Sequence, residues 1–131
     1  NPDRNGYRTY GLDRIERIAD GNDPFTVRSD FNAEQFFKHS FGISKMLESP
    51  QDVRVRCNKL EYAYLQAQPV HASQKLHRID DETYELHLHV LITYELVHFL
   101  LGLGPAIEVL EPISLREQMK LTLSNALNHY R

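Results

Sequence analysis

Residues 83–91 have the sequence Thr-Tyr-Glu-Leu-His-Leu-His-Val-Leu, and this stretch decides the fold class. Its large apolar side chains stand at every second position and alternate with one glutamate and two histidines. Strict alternation of this kind is typical of a β-strand that buries only one of its faces. Residues 53–57, Val-Arg-Val-Arg-Cys, alternate in the same way with two arginines. The two stretches predict a sheet with one apolar face and one polar face.

Helical segments with N-terminal capping signals lie between and after the predicted strands. Asn58 with Glu61 and Ser114 with Glu117 have the spacing of capping boxes, and Thr93 opens a further apolar helix. The resulting order predicts an α+β fold, a ferredoxin-like βαββαβ sheet with an appended C-terminal helix. Right-handed crossovers place both intervening helices on one face and leave the other face open. The four strands are predicted at 51–58, 73–79, 83–91 and 107–110.

Two shorter segments, 1–22 and 23–50, precede this domain of residues 51–131. Asn5-Gly6 is a turn signal between strand-like sequences and predicts a β-hairpin over residues 1–22. An isolated hairpin is only marginally stable, so we expect its partner strands upstream or in another chain. Residues 23–50 contain five phenylalanines and a helix predicted over 33–40 with Asn32 as its cap. This composition predicts a connector that packs on a neighbouring surface.

The composition excludes several classes of protein. The chain has 131 residues, with 15 Lys and Arg against 18 Asp and Glu and a formal charge of −3, which excludes a strongly basic nucleic-acid-binding domain. The single cysteine, Cys57, excludes a disulfide framework. We find no apolar run long enough for a membrane span and no signal peptide, and therefore expect a cytoplasmic protein. The chain lacks an initiator methionine, so we expect it to be a piece of a longer protein.

The polar face of the predicted sheet is the candidate site. Strand alternation places Arg54 and Arg56 beside His87 and His89 on one surface, together with Glu85. The guanidinium group of arginine can donate two parallel hydrogen bonds, which suits it to bind a phosphate or a carboxylate. The alternative is an ordinary solvated face, or one covered by a partner.

Catalytic and metal-binding signals are weak in this sequence. His87 and His89 form a pair of the kind that metal sites use, but Glu85 is the one obvious third ligand, so we predict no bound zinc or iron there. Cys57 takes an inward strand position, which predicts a buried thiol. The sequence also lacks a glycine-rich phosphate loop. We therefore predict neither an enzyme nor a cofactor; the alternative is a ferredoxin-like small-molecule or metal-binding enzyme domain.

Taken in order, five segments of the chain resemble the end of a WYL domain followed by the WYL C-terminal extension (WCX). The first is Arg-Thr-Tyr-Gly-Leu-Asp-Arg-Ile, and the last is Gly-Pro-Ala-Ile-Glu-Val-Leu-Glu-Pro. Each motif is weak alone, but their order and separations make the series specific. The segments are 8–15, 40–43, 53–56, 71–74 and 104–112.

This resemblance implies a bacterial transcriptional regulator with an N-terminal winged helix-turn-helix, a central Sm-like WYL barrel and the extension. The predicted hairpin would then be the end of that barrel. The family's basic strand corresponds to Arg8 and Arg14, which with Tyr10, Arg54 and Arg56 are expected to bind an anionic effector such as a nucleotide or single-stranded nucleic acid. We expect a homodimer that contacts operator DNA through the N-terminal domain and has no membrane partner.

Overall fold

The computed structural model describes residues 8–44 and 48–131. The chain divides into two compact units, Asn1–Phe36 and Phe37–Arg131, and the division falls inside the predicted connector. Within the described residues, no helix is long and apolar enough to cross a bilayer.

The described part of the first unit differs from the predicted hairpin. Residues 8–22 contain one 3-10 turn, Leu12–Arg14, and no strand, while the turn signal at Asn5-Gly6 lies outside the described residues. Apolar side chains such as Leu12 and Ile18 are exposed. A strand requires a neighbouring strand that pairs with its backbone N–H and C=O groups. The described residues of this unit contain no such neighbouring strand.

Helix α1, Ala33–Phe37, is shorter than the predicted 33–40. Its predicted cap is confirmed, because Asn32 Oδ1 accepts a hydrogen bond from the Gln35 backbone N–H at 3.0 Å. The chain after the helix belongs to the second unit. The Phe41 carbonyl accepts a hydrogen bond from the Thr93 hydroxyl at 2.7 Å.

The second unit contains a four-stranded antiparallel sheet in the order β2-β3-β1-β4. This is the strand order of the predicted ferredoxin-like fold, and the α+β prediction is confirmed. A register shift between Arg54 and Val55 marks a bulge in the β1–β4 pairing. The strands are β1 Gln51–Cys57, β2 Lys75–Arg78, β3 Tyr84–Val90 and β4 Ile107–Glu111.

Three α-helices complete the described part of this unit: α2 Lys59–Ala67, α3 Tyr94–Gly102 and α4 Ile113–Asn128. The predicted caps of the first two are confirmed, since Asn58 and Thr93 side chains accept hydrogen bonds from the backbone N–H groups of Glu61 and Leu96. The predicted cap of the last helix is wrong. Ser114 lies inside the first turn of α4, because the chain leaves β4 through Pro112, whose extended backbone starts the helix directly.

The hydrophobic core lies between the sheet and the helices. Alternate residues of β1 and β3 point into it, as the sequence pattern predicts, and Val55 and Leu86 have no exposed surface. Leu96 and Leu100 of α3 and Leu115 of α4 fill the same cluster. The opposite face of the sheet is therefore left to polar side chains.

Candidate functional site

The polar face of the sheet, here called the open face, is the candidate site. Every second residue of the two central strands contributes to it, and so do the residues that lie beside them on both edge strands. The intervening edge-strand residues, Leu76 and Val109, point to the core. Its members are Asp52, Arg54, Arg56, Lys75, His77, Glu85, His87, His89, Glu108 and Glu111.

Arg54 occupies the middle of the open face between two carboxylates. Its Nε lies 3.6 Å from Glu85 Oε2, and its Nη1 lies 3.6 Å from Glu111 Oε2. Both separations exceed a good N–H···O hydrogen bond. The Nε atom is buried and has no hydrogen-bond partner among the described residues. The two carboxylates thus compensate the charge of Arg54, but its Nε and Nη1 groups form no good hydrogen bond with them.

Arg56, two residues along the same strand, is held much more tightly. Its Nη1 donates to Glu108 Oε2 at 2.8 Å, and Arg116 of α4 donates to the other oxygen of Glu108 at 2.8 Å. The hydrogen bond from Arg116, together with both guanidinium charges, lowers the pKa of Glu108 below its usual value. Arg116 also donates to the Val109 carbonyl at 2.6 Å, which covers part of the β4 edge.

The predicted histidine pair is divided between two carboxylates. His87 Nε2 lies 2.8 Å from Glu85 Oε2, whereas His89 Nδ1 lies 2.7 Å from Asp52 Oδ1. The hydrogen bond from His87 is the main cause that lowers the pKa of Glu85, with the Arg54 charge adding to it. Across the described residues, no group of three His, Cys, Asp or Glu side chains is arranged to hold a metal ion.

A third histidine, His71, is tied to the edge of this face through Ser73. The Ser73 backbone N–H donates to His71 Nδ1 at 3.0 Å, so this ring nitrogen carries no proton and the side chain is neutral. The Ser73 hydroxyl lies 2.8 Å from the same nitrogen and accepts a hydrogen bond from the His89 backbone N–H at 2.9 Å. Burial lowers the pKa of His71, although a hydrogen bond to the Lys38 backbone acts in the opposite direction.

A cleft of about 290 Å³ opens on this face, and both basic and acidic side chains line it. Its polar lining residues are Arg54, Ser73, Lys75, His87 and His89, together with the carboxylates of Asp52 and Glu111. Lys75 forms no ion pair with any described residue, so the cleft presents a free ammonium beside the loosely held Arg54. The basic side chains that line the cleft can donate hydrogen bonds to the oxygens of a small anion. Lys75 was not predicted to be a member of the face, although the alternation of β2 around Leu76 is the signal for it.

The predicted residues of the first unit are exposed. Arg8 and Tyr10 lie outside any helix or strand, and Arg14 ends the 3-10 turn, with its Nε 4.0 Å from Asp13 Oδ2. Among the described residues, Arg8 makes no ion pair.

Cys57 is buried at the end of β1, as predicted. Burial raises the pKa of its thiol to about 11, and the charges of Glu61 and Glu85 add to the effect. The thiol therefore stays protonated at neutral pH, which is the state of an inert core cysteine.

A family of known proteins matches this chain. The family model described as the WCX domain covers residues 49–127, more than half of the chain. The matched span contains all four strands, the open face and nearly all of α4. No curated protein matches the sequence.

Proposed function

The chain belongs to the WCX domain family, and on that premise we propose that it is the effector-sensing and dimerisation region of a cytoplasmic bacterial transcriptional regulator. WCX domains form part of WYL-type regulators, and operator DNA would be contacted by a separate helix-turn-helix domain. The observation that carries the proposal is the family match over the whole four-stranded sheet, whose open face holds basic side chains, with two carboxylates, around a cleft.

The proposed effector is an anion, such as a nucleotide or a short single-stranded nucleic acid. Arg8, Tyr10 and Arg14 supply one set of contacts, and Arg54 and Arg56 supply another. The two arginines of β1 differ in how tightly neighbouring carboxylates hold their side chains. Arg54 makes no good hydrogen bond to its carboxylates, so a phosphate can engage it directly, whereas Arg56 must first release Glu108.

Binding of single-stranded DNA across a salt series, followed by fluorescence anisotropy, tests this proposal in the 131-residue chain. We expect the Arg8→Ala and Arg14→Ala double variant to bind more weakly and to lower the salt slope by about one unit per lost phosphate contact. Arg54→Ala is expected to weaken binding more than Arg56→Ala. Arg17→Ala, an exposed arginine outside the proposed set, is the control. Unchanged affinity and slope in the double variant would exclude Arg8 and Arg14.

A ferredoxin-like small-molecule or metal-binding enzyme domain is the other function that the sequence left open. Among the described residues no observation favours it, and His87 and His89 are engaged by different carboxylates. We keep the prediction that neither zinc nor iron binds there. Elemental analysis after dialysis against a mild chelator tests it, and stoichiometric retained metal would contradict it.

A further inference from the structure

Charged side chains of both signs line the cleft on the open face, and the two signs are separated across the sheet. Lys75 of β2 and Arg54 of β1 lie on either side of His87, because the strand register places both of them opposite that residue. Glu111 of β4 lies opposite Arg54, on the far side of the cleft from Lys75. Asp52 precedes Arg54 by two residues on the same face of β1. The cleft is therefore cationic on its β2 side and acidic where β4 meets the start of β1.

These charged groups keep hydrogen-bonding capacity that a ligand can use. Lys75 forms no ion pair with any described residue. Nη1 of Arg54 lies 3.6 Å from Glu111 Oε2, too far for a good hydrogen bond, and its Nε has no partner among the described residues. The side chains of Asp52 and Glu111 are 85% and 52% exposed. Both carboxylates thus retain acceptor sites that face solvent.

A ligand of a single charge sign would match only one side of this cleft. A simple anion gains hydrogen bonds from the lysine and the arginine but meets two carboxylates of its own sign, which opposes its binding. A simple cation meets the reverse arrangement. A molecule that carries one charge of each sign can place both of them beside groups of opposite sign. The cleft of about 290 Å³ lies at the lower end of the range for ligand pockets, about 300–1,000 Å³, which suits a small molecule.

We propose that this cleft binds a free α-amino acid in its zwitterionic form. Arg54 and Lys75 donate hydrogen bonds to the ligand carboxylate, and the ligand ammonium donates to the carboxylates of the acidic side. Both charged groups of an α-amino acid are attached to one carbon atom, so the ligand can bridge Arg54 and Glu111, which stand close together. This inference rests on the effector-sensing part of the proposed function and names the class of small effector that the cleft selects.

Ligand-observed NMR of the 131-residue chain tests the cleft with defined probes. The standard L-amino acids are screened first. The tightest binder is then compared with its N-acetyl derivative, which has no ammonium, and with its carboxamide, which has no carboxylate. We expect the free amino acid to bind at least about tenfold more tightly than either derivative, because each derivative loses the hydrogen bonds of one charged group. Inorganic phosphate serves as the purely anionic probe.

Substitutions on the two sides of the cleft should act differently on the two kinds of probe. Lys75→Gln should weaken binding of the amino acid and of phosphate, each about tenfold. Lys59→Gln, at an exposed lysine of α2, is its matched control. Glu111→Gln should weaken binding of the amino acid but strengthen binding of phosphate, because it removes a carboxylate from the cleft and releases Arg54. Glu117→Gln, at an exposed glutamate of α4, is the second control, and circular dichroism verifies that each variant is folded.

Several outcomes would overturn the amino-acid site. An N-acetyl derivative that binds as tightly as its parent would leave a cleft for simple anions, and the proposed function would stand. Binding of phosphate without binding of any amino acid would have the same meaning. Equal losses in Lys59→Gln and Lys75→Gln, or weaker binding of both probes in Glu111→Gln, would exclude the assigned contacts. Absence of binding by every probe would also contradict the site, while the anisotropy series with single-stranded DNA decides the effector proposal separately.

Discussion

The two faces of the sheet are built from alternate residues of the same strands, but they are held by different forces. On the covered face, Val55 lies opposite Leu86 and both are fully buried. On the open face, Arg54 lies opposite His87 and reaches two carboxylates only at 3.6 Å. Burial of apolar surface stabilises the first arrangement strongly, whereas solvated ion pairs contribute little. We therefore expect the covered face to stabilise the fold and the open face to bind ligands.

The largest effect is expected from a deletion on the covered face. Leu86→Ala should lower the free energy of unfolding by about 2–5 kcal/mol, because it removes buried methyl groups and leaves a cavity. Urea denaturation followed by circular dichroism measures the change. A loss no larger than that of His87→Ala, its neighbour on the open face, would contradict the division between the faces.

An intermediate effect is expected at Thr93, which joins the helical layer to the connector. Its buried hydroxyl caps α3 and donates to the Phe41 carbonyl. Thr93→Val keeps the shape but removes both hydrogen bonds, and should cost about 1–3 kcal/mol of unfolding free energy. Thr93→Ser retains the hydroxyl and serves as the control. Equal losses in both variants would show that packing of the methyl group, not hydrogen bonding, matters here.

Acidification should weaken the edge of the open face through His71. Its pKa is lowered from 6.5 in the folded chain, so the unfolded chain takes up this proton first. Stability that is present above about pH 6.5 is then lost as the pH falls toward the folded pKa. His71→Asn should flatten this dependence between pH 8 and pH 5, measured by urea denaturation. Parallel profiles for the wild type and the variant would contradict the role of His71.

The smallest effect on stability is expected at Arg54. Arg54→Gln should change the free energy of unfolding by about 0–1 kcal/mol, because the ion pairs it removes are long and partly solvated. The same variant should nevertheless reduce binding of an anionic ligand. A loss of stability comparable with that of Leu86→Ala would mean that the open face also stabilises the fold.

Much of the fold could be predicted from local patterns. Alternation in β1 and β3 identified both central strands, and the caps at Asn58 and Thr93 located two helices. Predictions were less accurate where contacts between residues far apart in the sequence determine the local structure. The predicted strand 73–79 is shorter in the structure, and Ser73, outside it, bonds His71 and the backbone of β3 instead.

The candidate site was predicted only in part, for the same reason. The sequence placed Arg54, Arg56, Glu85, His87 and His89 on one surface, and the structure confirms that placement. The acidic partners of the arginines on β4 were missed. Glu108 and Glu111 are more than fifty residues away in sequence, and no local pattern signals that contact.

The sequence by itself determined which side chains share a face, because the two-residue period of a strand is a property of the backbone. It also determined where most helices begin, since a cap is made by residues within one turn. Only the tertiary structure decided which arginine is available. Pairing with β4 brings Glu108 onto Arg56, and α4 adds Arg116 to the same carboxylate, while Arg54 at the bulge stays at longer range. Those distances depend on the register between strands far apart in the chain, which is set when the whole sheet and its helices pack together.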